Sequence, residues 1–145
     1  MTELTSHLFL GTQKDASRID LIQQNGITHL LSVAGAFEPP NEINVECLEI
    51  SLTVHGSSNL EIIIRNCFDF IEKAKNEKGK TLLFCQFAQN RSPTIAISYL
   101  MISEGWSLKK AHDFVLNKKG DIAPHQYYIN QLRDLELALH TPPAR

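Results

Sequence analysis

The chain has 145 residues, 43% hydrophobic and 21% charged, enough apolar material for one ordinary globular core and no more. A formal net charge of −2 gives neither nucleic acid nor an anionic membrane a reason to be the main partner. Three cysteines at unrelated spacings make no disulfide framework or metal knuckle, and the six histidines show no metal-ligand spacing, so no metal and no cofactor is expected. No apolar stretch approaches membrane-spanning length. The opening Met1-Thr-Glu-Leu-Thr-Ser6 lacks the basic start and apolar run of a signal peptide. A free cysteine set fits a reducing compartment, so a cytoplasmic protein is expected, with the nucleus left open.

In chain order, residues 6–12 read as a short strand and 15–25 as a helix. Gly26 stands just past that helix, where a left-handed residue is wanted. Residues 28–33 and 45–52 read as strands, the first nearly all apolar and so internal to the sheet. Glu38-Pro39-Pro40-Asn41 marks the loop between them. Ser58-Asn-Leu-Glu61 has the form of a capping box. The helix it opens carries Leu60, Ile63, Ile64, Cys67, Phe68, Ile71 and Ala74 on one face.

Residues 81–85 form a wholly apolar strand apart from its first residue and end on Cys85. Ser92 and Pro93 suit a helix start, because the missing proline N–H costs little there. That helix is apolar nearly all round and is expected to be central. Gly105 ends it, Ser107 caps the next, and Gly120 closes that one. Tyr128, Leu132, Leu135 and Leu139 stripe a final helix before a frayed tail over 140–145. Strands alternating with helices predict a single α/β domain over 1–145, with a mostly parallel, mixed sheet of four or five strands flanked by helices.

The chemistry is concentrated in Cys85-Gln86-Phe87-Ala88-Gln89-Asn90-Arg91-Ser92, a loop between a strand end and a helix start. The N–H groups of such a loop, from Gln86 to Arg91, converge into an anion nest. The positive end of the helix favours thiolate over thiol and makes Cys85 a candidate nucleophile. Arg91 offers a planar fork for two oxygens of a phosphoryl group. Ser92 can donate to the sulfur and help it leave.

These residues resemble the dual-specificity branch of the cysteine-dependent protein tyrosine phosphatases, whose loop reads His-Cys-x-x-Gly-x-x-Arg-Ser. The likeness extends to Ser98-Tyr99-Leu100-Met101, to residues 107–115, to 124–132, and upstream to Leu8-Phe9-Leu10-Gly11 and Gly26-Ile27-Thr28. It implies catalysis through a phosphocysteine by Cys85, Arg91 and Ser92, with a phosphorylated protein as partner and no cofactor. Oligomeric state is not legible.

The departures are specific. Phe84 stands where the family has histidine, Ala88 where it has the loop glycine, Phe87 where it has a small residue, and His125 where it has asparagine. The family's general acid is an aspartate whose place falls on Val54, and no carboxylate occurs between Glu49 and Glu61. His55 and Asp121 are candidate substitutes, each weighed against an ordinary loop histidine and a solvated turn aspartate. Cys47 and Cys67 are expected to pack in the core. Two functions follow: a phosphatase slowed by its missing acid and biased toward phosphotyrosine, or a pseudophosphatase that captures phosphoproteins.

Overall fold

The computed structural model describes residues 1–54 and 58–140. Its strands are β1 (Thr2–Thr5), β2 (Leu8–Thr12), β3 (His29–Ser32), β4 (Glu46–Glu49) and β5 (Thr81–Cys85). Its helices are α1 (Gln13–Ala16), α2 (Ile19–Gln24), α3 (Leu60–Asn76), α4 (Arg91–Glu104), α5 (Leu108–Lys118) and α6 (Gln126–His140). The strands form one five-stranded sheet in the order β1-β2-β5-β3-β4, with β1 antiparallel to β2 and every other pairing parallel. This is the mixed α/β sheet that alternating strands and helices predict.

β5 is central and buried along its whole length. Successive side chains on a strand point to opposite faces. Leu83 and Cys85 accordingly enter the larger core with α3, α4 and α6. Leu82 and Phe84 enter the smaller core with Ala16 and Ile22 on the other face. α4 follows directly and buries every residue from Ser92 to Met101, as its uniform apolarity requires. Gly105, at φ 68°, supplies the left-handed residue that ends it.

Several expectations change at the edges. The strand expected over 6–12 is shorter, and β1 pairs with it as an antiparallel edge strand. Only Leu4 is buried in β1, so its alternation reduces to one residue. The helix expected over 15–25 is two helices. A Thr12–Asp15 capping box starts α1 early, and extended Arg18 (φ −96°, ψ 105°) breaks the run before α2. The cap of α3 is Asn59, whose side chain accepts from the Glu61 N–H, while Ser58 Oγ accepts from Thr53 N at 3.2 Å. Leu139 is 41% exposed and lies off the buried stripe of α6. Cys67 is buried as expected, but Cys47 is exposed because β4 is the sheet's edge. Among the described residues, no helix is long and apolar enough to cross a membrane.

Candidate active site

Cys85 ends β5 at the carboxyl edge of the parallel strands, the end where open α/β sheets place their ligands. The next residues turn, and α4 begins at Arg91. Ser92 N donates to Cys85 Sγ at 3.3 Å, and Ser92 Oγ lies 3.1 Å from the same sulfur. The first turn of a 14-residue helix is thus aimed at the thiol. That is the polarity a sulfur anion needs.

Inside the loop, Ala88 is fully buried and sits at φ 57°, in the left-handed region. A non-glycine residue held there costs on the order of 1 kcal/mol. A left-handed residue just ahead of a helix start is the backbone pattern of an anion nest. Phe87 stands 64% exposed at the rim. Phe84 does not face the loop at all. Its ring is fully buried and packs edge-on against Phe37, centroids 4.8 Å apart.

Three consecutive backbone carbonyls of the segment that should carry the acid are held by side chains from α4 and α6. Arg91 Nη1 donates to Leu52 O at 3.3 Å, Tyr128 Oη to Thr53 O at 2.7 Å, and Asn90 Nδ2 to Val54 O at 3.1 Å. Gln131 braces the far side, donating to Ser58 O and accepting from Leu60 N, each at 3.0 Å. The Val54 side chain is 48% exposed. His55 lies outside the described residues.

Asn90 is the hub of this arrangement. Asparagine is a favoured helix cap, yet at the N-cap of α4 its side chain makes no cap bond. Its Nδ2 serves Val54 O while its Oδ1 accepts from His125 N at 2.7 Å. The sequence places Asn90 only in the phosphate loop, because an asparagine before a helix carries no local signal of long-range duty. His125 Nδ1 in turn accepts from Tyr127 N at 3.0 Å.

Asp121 does reach the loop. Gln89 Nε2 donates to its Oδ2 at 3.2 Å, and Lys119 Nζ bonds its Oδ1. Those hydrogen bonds, Lys119 first, hold its carboxyl below the usual carboxylate range. A carboxylate kept ionised by a lysine is a poor proton donor near neutrality. Elsewhere, burial pushes the Cys67 thiol up to about 12, which leaves it an inert core group.

The sheet thus delivers Cys85 to the N-terminus of α4, whose first residue is Arg91. The family described as dual specificity phosphatase, catalytic domain, matches residues 8–137, and the chain belongs to it. Dual specificity protein phosphatase 1 of Arabidopsis thaliana is 32% identical over 132 residues, covering 91% of this chain and 67% of that protein. Dual specificity protein phosphatase 7 of Rattus norvegicus is 32% identical over 152 residues, covering 97% of this chain and 36% of that protein. The chain therefore spans about two thirds of one relative and about a third of the other.

Among solved structures, human DUSP28 superposes with a TM-score of 0.90 at 24% identity, covering 96% of this chain and 97% of that one. Human tyrosine phosphatase-like serine/threonine/tyrosine-interacting protein superposes at 0.87 and 23% identity, covering 95% and 96%. At these identities the likeness establishes the fold.

Proposed function

We propose that this chain is a cysteine-dependent protein phosphatase, slow because valine holds the general-acid position, and selective for phosphotyrosine over phosphoserine and phosphothreonine. The observation that carries it is the convergence of the Ser92 N–H and hydroxyl on Cys85 Sγ at the start of a long buried helix. A pure binder has no use for a nucleophile so arranged.

In this reading the backbone from Gln86 to Arg91 cradles the phosphoryl oxygens and the Arg91 guanidinium bridges two of them. The Cys85 thiolate attacks phosphorus. The S–P bond forms as the P–O bond to the substrate breaks, and the leaving oxygen takes a proton from water or a nearby donor. Water then attacks the phosphocysteine and releases inorganic phosphate, while Ser92 stabilises the departing thiolate. General-acid help is typically worth about 10²–10⁴-fold. A tyrosine phenol, with a pKa near 10, leaves unaided far more readily than a serine or threonine alkoxide. Exposed Phe87 and Tyr127 offer rings against which an aryl phosphate can pack. Hydrolysis of p-nitrophenyl phosphate by the wild type, lost in Cys85→Ser and competed by vanadate, is the expected result.

A second reading is a phosphoprotein-binding module. Val54 at the acid position favours it, as does the shared fold with a protein named as phosphatase-like and interacting. A wild type inert toward every aryl phosphate, yet binding phosphotyrosine peptides, would select that reading.

A further inference from the structure

His29 opens β3 at the end of the sheet opposite Cys85. It pairs with Thr81, four residues before the cysteine along β5, a separation of about 13 Å at the usual strand rise. The residue is 4% exposed, and its ring packs edge-on against Phe70 of α3, centroids 5.4 Å apart. Nδ1 lies 2.7 Å from Thr28 Oγ1. That hydroxyl has a single proton and gives it to Lys80 O at 3.2 Å, while accepting from Lys80 N at 3.0 Å. With that proton on Lys80 O the hydroxyl accepts from His29, the arrangement that puts the hydrogen on Nδ1 and leaves a lone pair on Nε2. Nε2 is buried without a hydrogen-bond partner.

What faces that lone pair is a carboxylate. Glu46 Oε2, on edge strand β4, lies 3.5 Å from His29 Nε2. Two acceptors at this distance repel unless a positive centre stands between them. Glu77, at the end of α3, completes a group whose ligand atoms all lie within 4.8 Å of one another. The Lys73 ammonium bonds Glu46 at 2.9 Å and lies 3.6 Å from Glu77. It holds the two carboxylates together, but its side chain is 58% exposed and free to swing into solvent.

We propose that His29 Nε2, Glu46 and Glu77 form a binding site for a divalent transition-metal ion of the zinc class, whose entry displaces the Lys73 ammonium. One imidazole and two carboxylates are a nitrogen–oxygen donor set suited to zinc or cobalt. The 3.5 Å between Nε2 and Glu46 Oε2 matches the edge of about 3.4 Å for a tetrahedron of ligands at ~2.1 Å from zinc. Thr28 supplies the outer hydrogen bond that metal-bound histidines use to fix their tautomer. The three residues lie far apart in sequence, which is why histidine spacing gives no sign of the site. A bound ion would clamp β3, the edge strand β4 and the end of α3, so it acts on stability rather than on the Cys85 chemistry.

The test uses tag-free protein carrying Cys47→Ser and Cys85→Ser, which removes the exposed and the candidate catalytic thiols as competing ligands. Zinc binding by calorimetry, cobalt absorption and thermal unfolding are measured in this background and with Glu46→Gln, Glu77→Gln and Lys73→Met added. We expect one ion per chain and a rise in Tm with zinc. Either glutamine variant should weaken binding by about tenfold or more. Lys73→Met should tighten it, because the ammonium no longer competes for Glu46 and Glu77. All three substitutions fall on exposed side chains, so folding is not at stake. Absence of zinc binding, or binding unchanged by Glu46→Gln and Glu77→Gln, overturns the proposal. So does a nitrogen NMR spectrum in which His29 keeps protons on both ring nitrogens with zinc present, because that identifies an imidazolium paired with Glu46.

Discussion

Asn90 holds Val54 in place: the side-chain amide of the residue before Arg91 donates to the Val54 backbone carbonyl, 3.1 Å away. In the phosphatase reading proposed above, the backbone of the acid loop is therefore held in place although the side chain it presents is a valine.

From this, Val54→Asp should restore function with no change of backbone. Turnover should rise about tenfold or more on a phosphothreonine peptide and less on p-nitrophenyl phosphate, whose phenol departs unaided. Steady-state kinetics on both substrates decide it. Adding Asn90→Ala should remove most of the gain by releasing the carbonyl. If Val54→Asp gains nothing while His55→Ala or His125→Asn abolishes activity, the proton comes from a histidine instead.

Phe84→His should not repair the loop. The Phe84 ring is fully buried against Phe37 on the face of the sheet away from the sulfur. An imidazole there loses apolar contact and lacks a partner, so we expect a loss of about 2–4 kcal/mol by chemical denaturation. Activity per folded molecule should stay unchanged.

Ala88→Gly acts on strain. Relief of the left-handed alanine and the added freedom of an unfolded glycine are each on the order of 1 kcal/mol and of opposite sign. Stability should therefore move by less than about 1 kcal/mol, while vanadate affinity rises a few-fold because the nest relaxes into shape. A drop in vanadate affinity would mean that the Ala88 methyl itself supports the loop.

Stability should fall as pH drops through the unfolded histidine value of about 6.5, and His7 is one cause. Burial, then Lys75, holds the folded His7 pKa below that value. Its Nε2 is 2.7 Å from Tyr99 Oη, whose proton goes to Glu72. Because the unfolded chain takes up this proton first, acidification favours unfolding until the lower folded pKa is passed. Denaturant midpoints from pH 7.5 to 5 should show a shallower slope in His7→Asn than in the wild type, within about a unit on either side of the histidine value.

The strand–loop–helix around Cys85 was legible because its context is local. An apolar strand, a cysteine, a loop and an apolar helix follow one another in the chain, and the sheet then places Cys85 at its carboxyl edge. The interior helices were legible for a related reason: α3 buries most of the stripe its periodicity marks, and α4, apolar nearly all round, is buried from Ser92 to Met101. Other features depend on partners distant in sequence. β1 has a single buried side chain, Leu4, and becomes a strand only by pairing with β2. Cys47 looks like a core residue until β4 proves to be the edge. Asn90 reads only as part of the phosphate loop, and its bonds to Val54 and His125 appear only when three loops meet. Asp121 was weighed as a substitute acid against a solvated turn aspartate, and its bond to Lys119 shows why it is a poor acid.

The most direct measurement is acid quench of the wild-type protein during turnover of an aryl phosphate, followed by mass spectrometry of the Cys85 peptide. The account predicts a phosphoryl adduct on Cys85 that forms before phosphate release, persists longer in Ser92→Ala and is absent in Cys85→Ser. Turnover with no adduct in either the wild type or Ser92→Ala, or turnover that survives Cys85→Ser, would contradict it.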